Sequence, residues 1–326
     1  MQRANAFRRL GHDVFQIDPE EHLRFPGLTK AWIYHLGGLG LDSLVASQTE
    51  RQIGTATFDI AWIDPGDLVG PRTATILRNR CTKLVSLNLD NPFVSRDKYR
   101  WRNYLQALRL FDLFATPRES SAKAAISFGA KRAIRITQAA DELMSRNPEQ
   151  LSDKDVARYR SPVSFIGTWM PERGPFLASL IELGVPLKIF GPRWTKAPEY
   201  ARLRDHVTAV NLSGQEYIKA IRCADIALCL LSKGNQDLHT TRSLEIPAVG
   251  SLLCAERTQD HLDMYEDGGE AIFFSNVHEC AERCLDLLRT PDLIAKMAAR
   301  GQARNTRNNH FNEKLLSRIL SDLSHA

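Results

Sequence analysis

The chain has 326 residues, of which 43% are apolar and 25% charged, with a formal net charge of +5. This length exceeds a usual single core and predicts two domains, and the composition is that of a globular protein rather than a disordered one. No run of about 18 apolar residues occurs, which argues against a membrane-spanning helix; the mild basic excess suits an anionic partner without choosing among nucleotides, nucleic acid and lipid surfaces.

The opening MQRANAFRRLGHDV has neither the apolar segment nor the cleavage site of a secretory leader, so a cytoplasmic location is expected. Within it QRANAFRRL has helical spacing that stops at Gly11, and HDVFQID reads as a strand. Apolar runs follow at FDIAWID (58–64), KLVSLNLD (83–90), DLFATP (112–117) and KRAIRITQ (131–138), with helical patterns such as KYRWRNYLQALRLF and SSAKAAISFGA between them. Such alternation indicates an α/β fold with parallel, doubly wound sheets. A doubly wound domain normally opens with a strand, whereas this chain opens with a helix. Either the N-terminal sheet lacks its first strand or the true start lies upstream, and the second is the favoured expectation.

The polar stretch SRNPEQLSDKDVARYRSP reads as a linker. A second alternating series begins with VSFIG and continues through PLKIFG, VTAVNL, DIALCLL, SLLCA and AIFF, before a helical tail. The predicted division is residues 1–150, 151–302 and a C-terminal helix 303–326 that packs back on the first domain. The six cysteines, Cys81, Cys223, Cys229, Cys254, Cys280 and Cys284, form no CxxC pair and read as reduced structural thiols. No metal-ligand cluster is apparent and no metal is expected.

Ligands of open parallel sheets bind beyond the carboxyl ends of the strands. Asp90 ends a long apolar run before the turn at Pro92, where it either caps the next segment or meets a substrate hydroxyl as a general base. In the second series the strand ends carry Gly167, Gly191 and Gly214, which let a backbone approach a ligand. Arg173 opens a helix, where a cation opposes the dipole and a phosphate would reconcile it. Arg193 and Trp194 could grip phosphate or stack a base, with packing the alternative for Trp194.

The stretch DLHTTRSLEIPAVG leaves the strand DIALCLL through a loop and enters a helix at Thr240 and Thr241. Its first amides and dipole suit a phosphate, with Glu245 one turn deeper for a ribose. The pair Arg242–Glu245 at i,i+3 is also readable as a simple surface ion pair. RDKYRWRNY (96–104) forms a basic, aromatic run that suits a solvated helix face, nucleic acid or an anionic membrane.

The segments SFIGTWMPERGPFLASLIELGVPLKIFGPRW and ADIALCLLSKGNQDLHTTRSLEIPAVGSLLCAERTQDHLDMYEDGGEAIFF resemble the glycosyltransferase domain of CgeB-like spore maturation proteins. These bacterial proteins are similar to GT-B glycosyltransferases, with two facing Rossmann-like domains. The resemblance covers roughly residues 163–320. It implies transfer of a sugar from a nucleoside-diphosphate sugar, without metal or other cofactor, to a glycan, protein or lipid acceptor. It also leaves room for peripheral contact with the inner membrane face, and no nucleic acid is expected. A non-catalytic sugar-nucleotide-binding protein is the alternative. By the resemblance, Glu245 holds the ribose, and Asp237 falls where related enzymes carry a glutamate facing the donor sugar. Arg173 falls near a basic residue that neutralises the diphosphate, Thr168 stands in place of a second one, and His239 joins Asp90 and Asp237 as a candidate catalytic group.

Overall fold

The computed structural model describes residues 2–19, 26–146 and 149–324. The chain divides into two compact units, residues 3–137 with the stretch from Leu315 onward, and residues 138–314. The division falls between Thr137 and Gln138 rather than at 150. Part of the predicted linker is a helix, Asp153–Tyr159, held by a reciprocal capping box between Ser152 and Asp155. The last helix, Asn312–Ser324, crosses from one unit to the other.

The first unit carries β1 (Phe58–Ile63), β2 (Cys81–Leu87), β3 (Leu113–Thr116) and β4 (Ala133–Arg135). All pair in parallel in the order β1-β2-β3-β4, with Trp62 opposite Val85 and Ala115 opposite Ile134. The order runs one way across this sheet. Leu84, Phe114, Trp101, Tyr104 and Phe111 are fully enclosed and form its core. The predicted strand HDVFQID is not one: residues 12–18 form no ladder. Phe15 reaches Phe58 at 6.0 Å, but the Val14 carbonyl accepts from Arg8 rather than from a strand. A stretch with so few apolar residues does not bury enough surface to order itself against the β1 edge.

The second unit carries β5 (Ser161–Ile166), β6 (Leu187–Phe190), β7 (Val207–Thr208), β8 (Ala224–Cys229), β9 (Leu252–Glu256) and β10 (Ile272–Phe274). They form one parallel sheet in the order β10-β9-β8-β5-β6-β7. Parallel strands covered on both faces are apolar throughout, and β8 and β9 are accordingly buried along nearly their whole length. Alternate residues feed two cores: Val163, Phe165, Ile226 and Leu228 on one face, Ile166, Ala227, Cys229 and Phe273 on the other.

The chain builds outward from β5 to β7, then returns to lay β8 against the other side of β5. Strand order reverses there. At such a switch point the two loops leaving the carboxyl ends diverge and open a crevice. The site of the second unit is therefore set by the segments after β5 and β8.

Candidate functional site

Two turns meet at the end of β5. Gly167 donates its N–H to the Phe190 carbonyl at 2.8 Å, and a Cβ on Gly191 (φ +149°) would sit 2.0 Å from the Gly167 oxygen. A Cβ on Gly167 would in turn stand 2.8 Å from the Phe165 ring. These glycines thus let backbone approach backbone where the two turns cross. The reading of Trp194 as a residue that stacks a base is corrected by its burial. It is fully buried, its indole N–H donates to the Gly167 oxygen at 2.9 Å, and its ring stands edge-on to Phe165. It anchors the crossing of the two turns and is not available to stack a base. Arg193 is exposed in a left-handed conformation (φ 70°), and Gly214 is an exposed first residue of the helix Gly214–Arg222.

Arg173 opens the helix Arg173–Glu182 but turns inward. Its Nη1 donates to the Thr168 carbonyl at 3.1 Å and its Nη2 to the Leu230 carbonyl at 3.0 Å. One guanidinium therefore ties the loop after β5 to the loop after β8, on the two sides of the switch point. Burial, reinforced by the neighbouring charge of Arg242, lowers its pKa to about 10. The Nε atoms of both Arg173 and Arg242 are buried without a protein acceptor. Two cations that repel each other and keep unsatisfied N–H groups form a place for an anion. Thr168, by contrast, donates its hydroxyl to the Pro192 carbonyl at 3.4 Å.

The loop after β8 makes a turn in which the Asp237 amide donates to the Ser232 carbonyl and Asn235 donates to the Asp237 carboxylate at 2.8 Å. Asp237 lies close enough to Arg173 to oppose the loss of its proton. His239 is buried and spends both ring nitrogens on protein partners. Nε2 accepts the Gln138 N–H at 3.0 Å, and Nδ1 donates to Asp260 at 2.6 Å. This corrects its candidacy as a catalytic group, since the ring pins the loop and has no nitrogen left for a substrate. Asp90 belongs to the first unit, where it lies 3.4 Å from both Arg96 and Arg100.

The helix Arg242–Ala248 has only seven residues and contains Pro247. Proline cannot donate to the carbonyl four residues earlier, that of Ser243, and inside a helix it costs about 3 kcal/mol. Neighbours supply the missing bonds. The Tyr265 hydroxyl donates to the Ser243 carbonyl at 3.1 Å, Asn305 to Leu244 at 3.3 Å and Gln302 to Ala248 at 3.1 Å. The Thr240 N–H is already spent on Ser243 Oγ, at 3.1 Å. Ser243 passes its own proton to His261 Nε2 at 2.8 Å, because His261 Nδ1 donates to the Glu256 carbonyl. Burial drives the pKa of His261 down to about 4, and the ring stays neutral. The predicted phosphate cradle is thereby narrowed to the start of the helix beyond Thr240, at Thr241 and Arg242.

Glu245 faces away from that relay. Tyr217, one turn into the helix Gly214–Arg222, donates its hydroxyl to Glu245 Oε2 at 2.6 Å. Burial first, then the charge of Glu245, pushes the Tyr217 pKa well up. Glu245 holds Arg242 in its charged form against the cost of desolvation. The second unit thus brings together Arg173, Asp237, Arg242, Glu245 and Tyr217 around the end of β8. Tyr217 was missed because a tyrosine in an amphipathic helix reads as core.

The fold also gathers three thiols that spacing alone kept apart. Cys254 on β9 lies 3.8 Å from Cys280 and 3.9 Å from Cys284, all three buried. Among the described residues this is the group that could hold a metal ion, and it corrects the expectation that no ligand cluster exists. It sits in the apolar core with Leu228, Leu252 and Ile272.

Residues 173–321 match the model of a family described as glycosyl transferase-like. None of the curated proteins matches the chain by sequence. Among solved structures the chain resembles Anabaena HepE in complex with UDP-glucose, with a TM-score of 0.64 and 15% identity over 89% of this chain and 84% of that one. Sucrose-phosphate synthase from Thermosynechococcus elongatus gives a TM-score of 0.64 and 12% identity, over 99% and 91% of the two chains. An E. coli structure described as trehalose-6-phosphate bound with UDP-2-fluoro glucose gives 0.62 and 14%, over 94% and 80%. With its two parallel-sheet units and these neighbours, the chain has the GT-B fold, and most of the glycosyl transferase-like match falls in its second unit.

Proposed function

We propose that the protein is a glycosyltransferase that takes a sugar from a nucleoside-diphosphate sugar bound at the switch point of the second unit. The observation that carries this reading is the pair of buried Arg173 and half-buried Arg242, each with a buried Nε–H that has no protein acceptor. When the glycosidic bond to the donor breaks, negative charge builds on the departing diphosphate while the sugar becomes oxocarbenium-like. Arg242 and the helix start at Thr241 meet that charge. Arg173 holds the two loops in register and adds its own. Fixed donors in a water-poor site stabilise such charge strongly, and the reading takes them to do so without a metal. Glu245, braced by Tyr217, accepts the ribose hydroxyls, and Asp237 lies on the sugar side.

The HepE structure with UDP-glucose and the E. coli structure with UDP-2-fluoro glucose support this donor class. A CgeB-like subtype, an acceptor that is a glycan, protein or lipid, and action in the cytoplasm complete the proposal; six free cysteines fit such a reducing compartment. Incubation with UDP-, GDP- and dTDP-sugars, with and without EDTA, tests it by release of nucleoside diphosphate. Release that resists EDTA and falls at least tenfold in Arg242→Gln supports the reading. No release with any donor, in the presence of lysate glycans, proteins and lipids, contradicts it.

Two observations favour a second reading, a protein that binds the sugar nucleotide without turning it over. His239 has both ring nitrogens engaged, and Asp90 is held between two arginines. Tight donor binding with no turnover would distinguish this case.

A further inference from the structure

The first unit has a surface that donor binding does not use. The helix Pro26–Leu36 buries Ile33 and Thr29 on one side. On the adjoining face Leu28, Trp32 and Leu36, spaced four apart, are 72%, 46% and 59% exposed. Leu39, just beyond, is 66% exposed. The end of this helix is pinned to the basic, aromatic run: Tyr99 donates its N–H to the Tyr34 carbonyl, Tyr34 its hydroxyl to the Arg96 carbonyl, and Asn103 its amide to the Gly38 carbonyl at 3.1 Å. That run borders a cavity of about 670 Å³ whose charged lining residues are Lys98, Arg102 and Arg109, with Tyr99 and Phe128 supplying aromatic wall. None of the residues that line it is acidic.

We propose that this face docks the protein on an anionic lipid surface, with the leucine–tryptophan ridge in the headgroup–acyl boundary and the basic cavity taking up lipid phosphates. Charge complementarity selects the occupant together with the ridge. A cationic groove alone would suit any polyanion, but four adjacent exposed large apolar side chains gain nothing from a polar polymer. They gain from an interface that is apolar on one side and anionic on the other. No helix among the described residues is long and apolar enough to cross a membrane, so the contact is a peripheral one. The inference does not depend on the donor site, which lies in the other unit.

Co-sedimentation of the full chain with phosphatidylcholine vesicles, with and without phosphatidylglycerol, tests it at low salt and at about 0.5 M salt, where charges are screened within a few ångström. Binding is expected with phosphatidylglycerol at low salt, together with a blue shift of tryptophan emission that Trp32→Phe diminishes. Arg102→Gln and Arg109→Gln should each weaken partitioning about fivefold. Leu28→Ser with Leu36→Ser should weaken it at least about tenfold. If the leucine pair does not fold, Trp32→Ala takes its place. Absence of lipid-dependent sedimentation at low salt overturns the proposal. So does binding that the apolar variants leave unchanged while heparin or RNA competes fully, because the face is then a polyanion site.

Discussion

The Tyr217 hydroxyl donates to Glu245 Oε2 at 2.6 Å, joining the helix Gly214–Arg222 to the short helix that carries Glu245. The bond fixes the carboxylate before any ligand arrives. Tyr217→Phe should therefore weaken binding of a nucleoside diphosphate roughly fivefold, about 1 kcal/mol, the net worth of a typical hydrogen bond. Glu245→Ala should weaken it further and also lower stability, since the buried Tyr217 hydroxyl loses its acceptor. Calorimetric titration beside urea denaturation separates the two effects. Equal affinities in wild type and Tyr217→Phe would count against the bracing role.

The Ser243 carbonyl relies on Tyr265 because Pro247 has no N–H to offer. Tyr265→Phe should cost about 1–3 kcal/mol of unfolding free energy, the penalty of a buried unpaired carbonyl. Pro247→Ala restores a helical donor, so the double variant should lose less than Tyr265→Phe alone. Urea midpoints that show no such rescue would mean that the tyrosine acts through packing or through Asn305 Oδ1, which its hydroxyl also reaches at 3.1 Å.

Gly191→Ala places a methyl 2.0 Å from the Gly167 oxygen. The two turns must separate, and the site loops move with them. A loss of more than about 2 kcal/mol is expected, with weaker nucleotide binding at temperatures where the variant remains folded. A wild-type thermal midpoint would refute the close crossing of these turns.

His261 is neutral in the fold, with a pKa near 4 against 6.5 for the ordinary imidazole. Between these values the unfolded chain binds a proton that the folded chain refuses. Its contribution is complete above pH 6.5 and is lost as pH falls toward 4, by up to about 3 kcal/mol. Urea unfolding at about pH 7 and about pH 4.5 measures the slope. The wild type should fall more steeply than His261→Gln; parallel slopes would remove His261 as the cause.

Most of the fold was readable from the residues because parallel strands announce themselves as apolar runs. DIALCLL and SLLCA could hardly be anything else, and AIFF follows at the right spacing. HDVFQID carries the same apolar alternation in miniature, but pairing depends on a neighbouring edge and on buried area, which local pattern does not encode. At the site, Arg242 and Glu245 could be found because two opposite charges sit where an apolar strand gives way to a helix. The role of Trp194 could not. A tryptophan beside a glycine turn fits stacking and packing equally, and only its bond to the Gly167 oxygen decides between them. The three cysteines were hidden for a related reason, since Cys254 meets Cys280 and Cys284 only after β9 packs on the helix Val277–Leu288.

The central claim is that Arg173 and Arg242, at the β5–β8 switch point, await a diphosphate. Calorimetric titration of the full chain with UDP, GDP and dTDP in EDTA tests it directly, alongside Arg242→Gln. The account predicts saturable binding of at least one nucleotide and an affinity at least tenfold weaker in the variant, about 1.4 kcal/mol. Failure of all three to bind, or an unchanged affinity in Arg242→Gln, would contradict it.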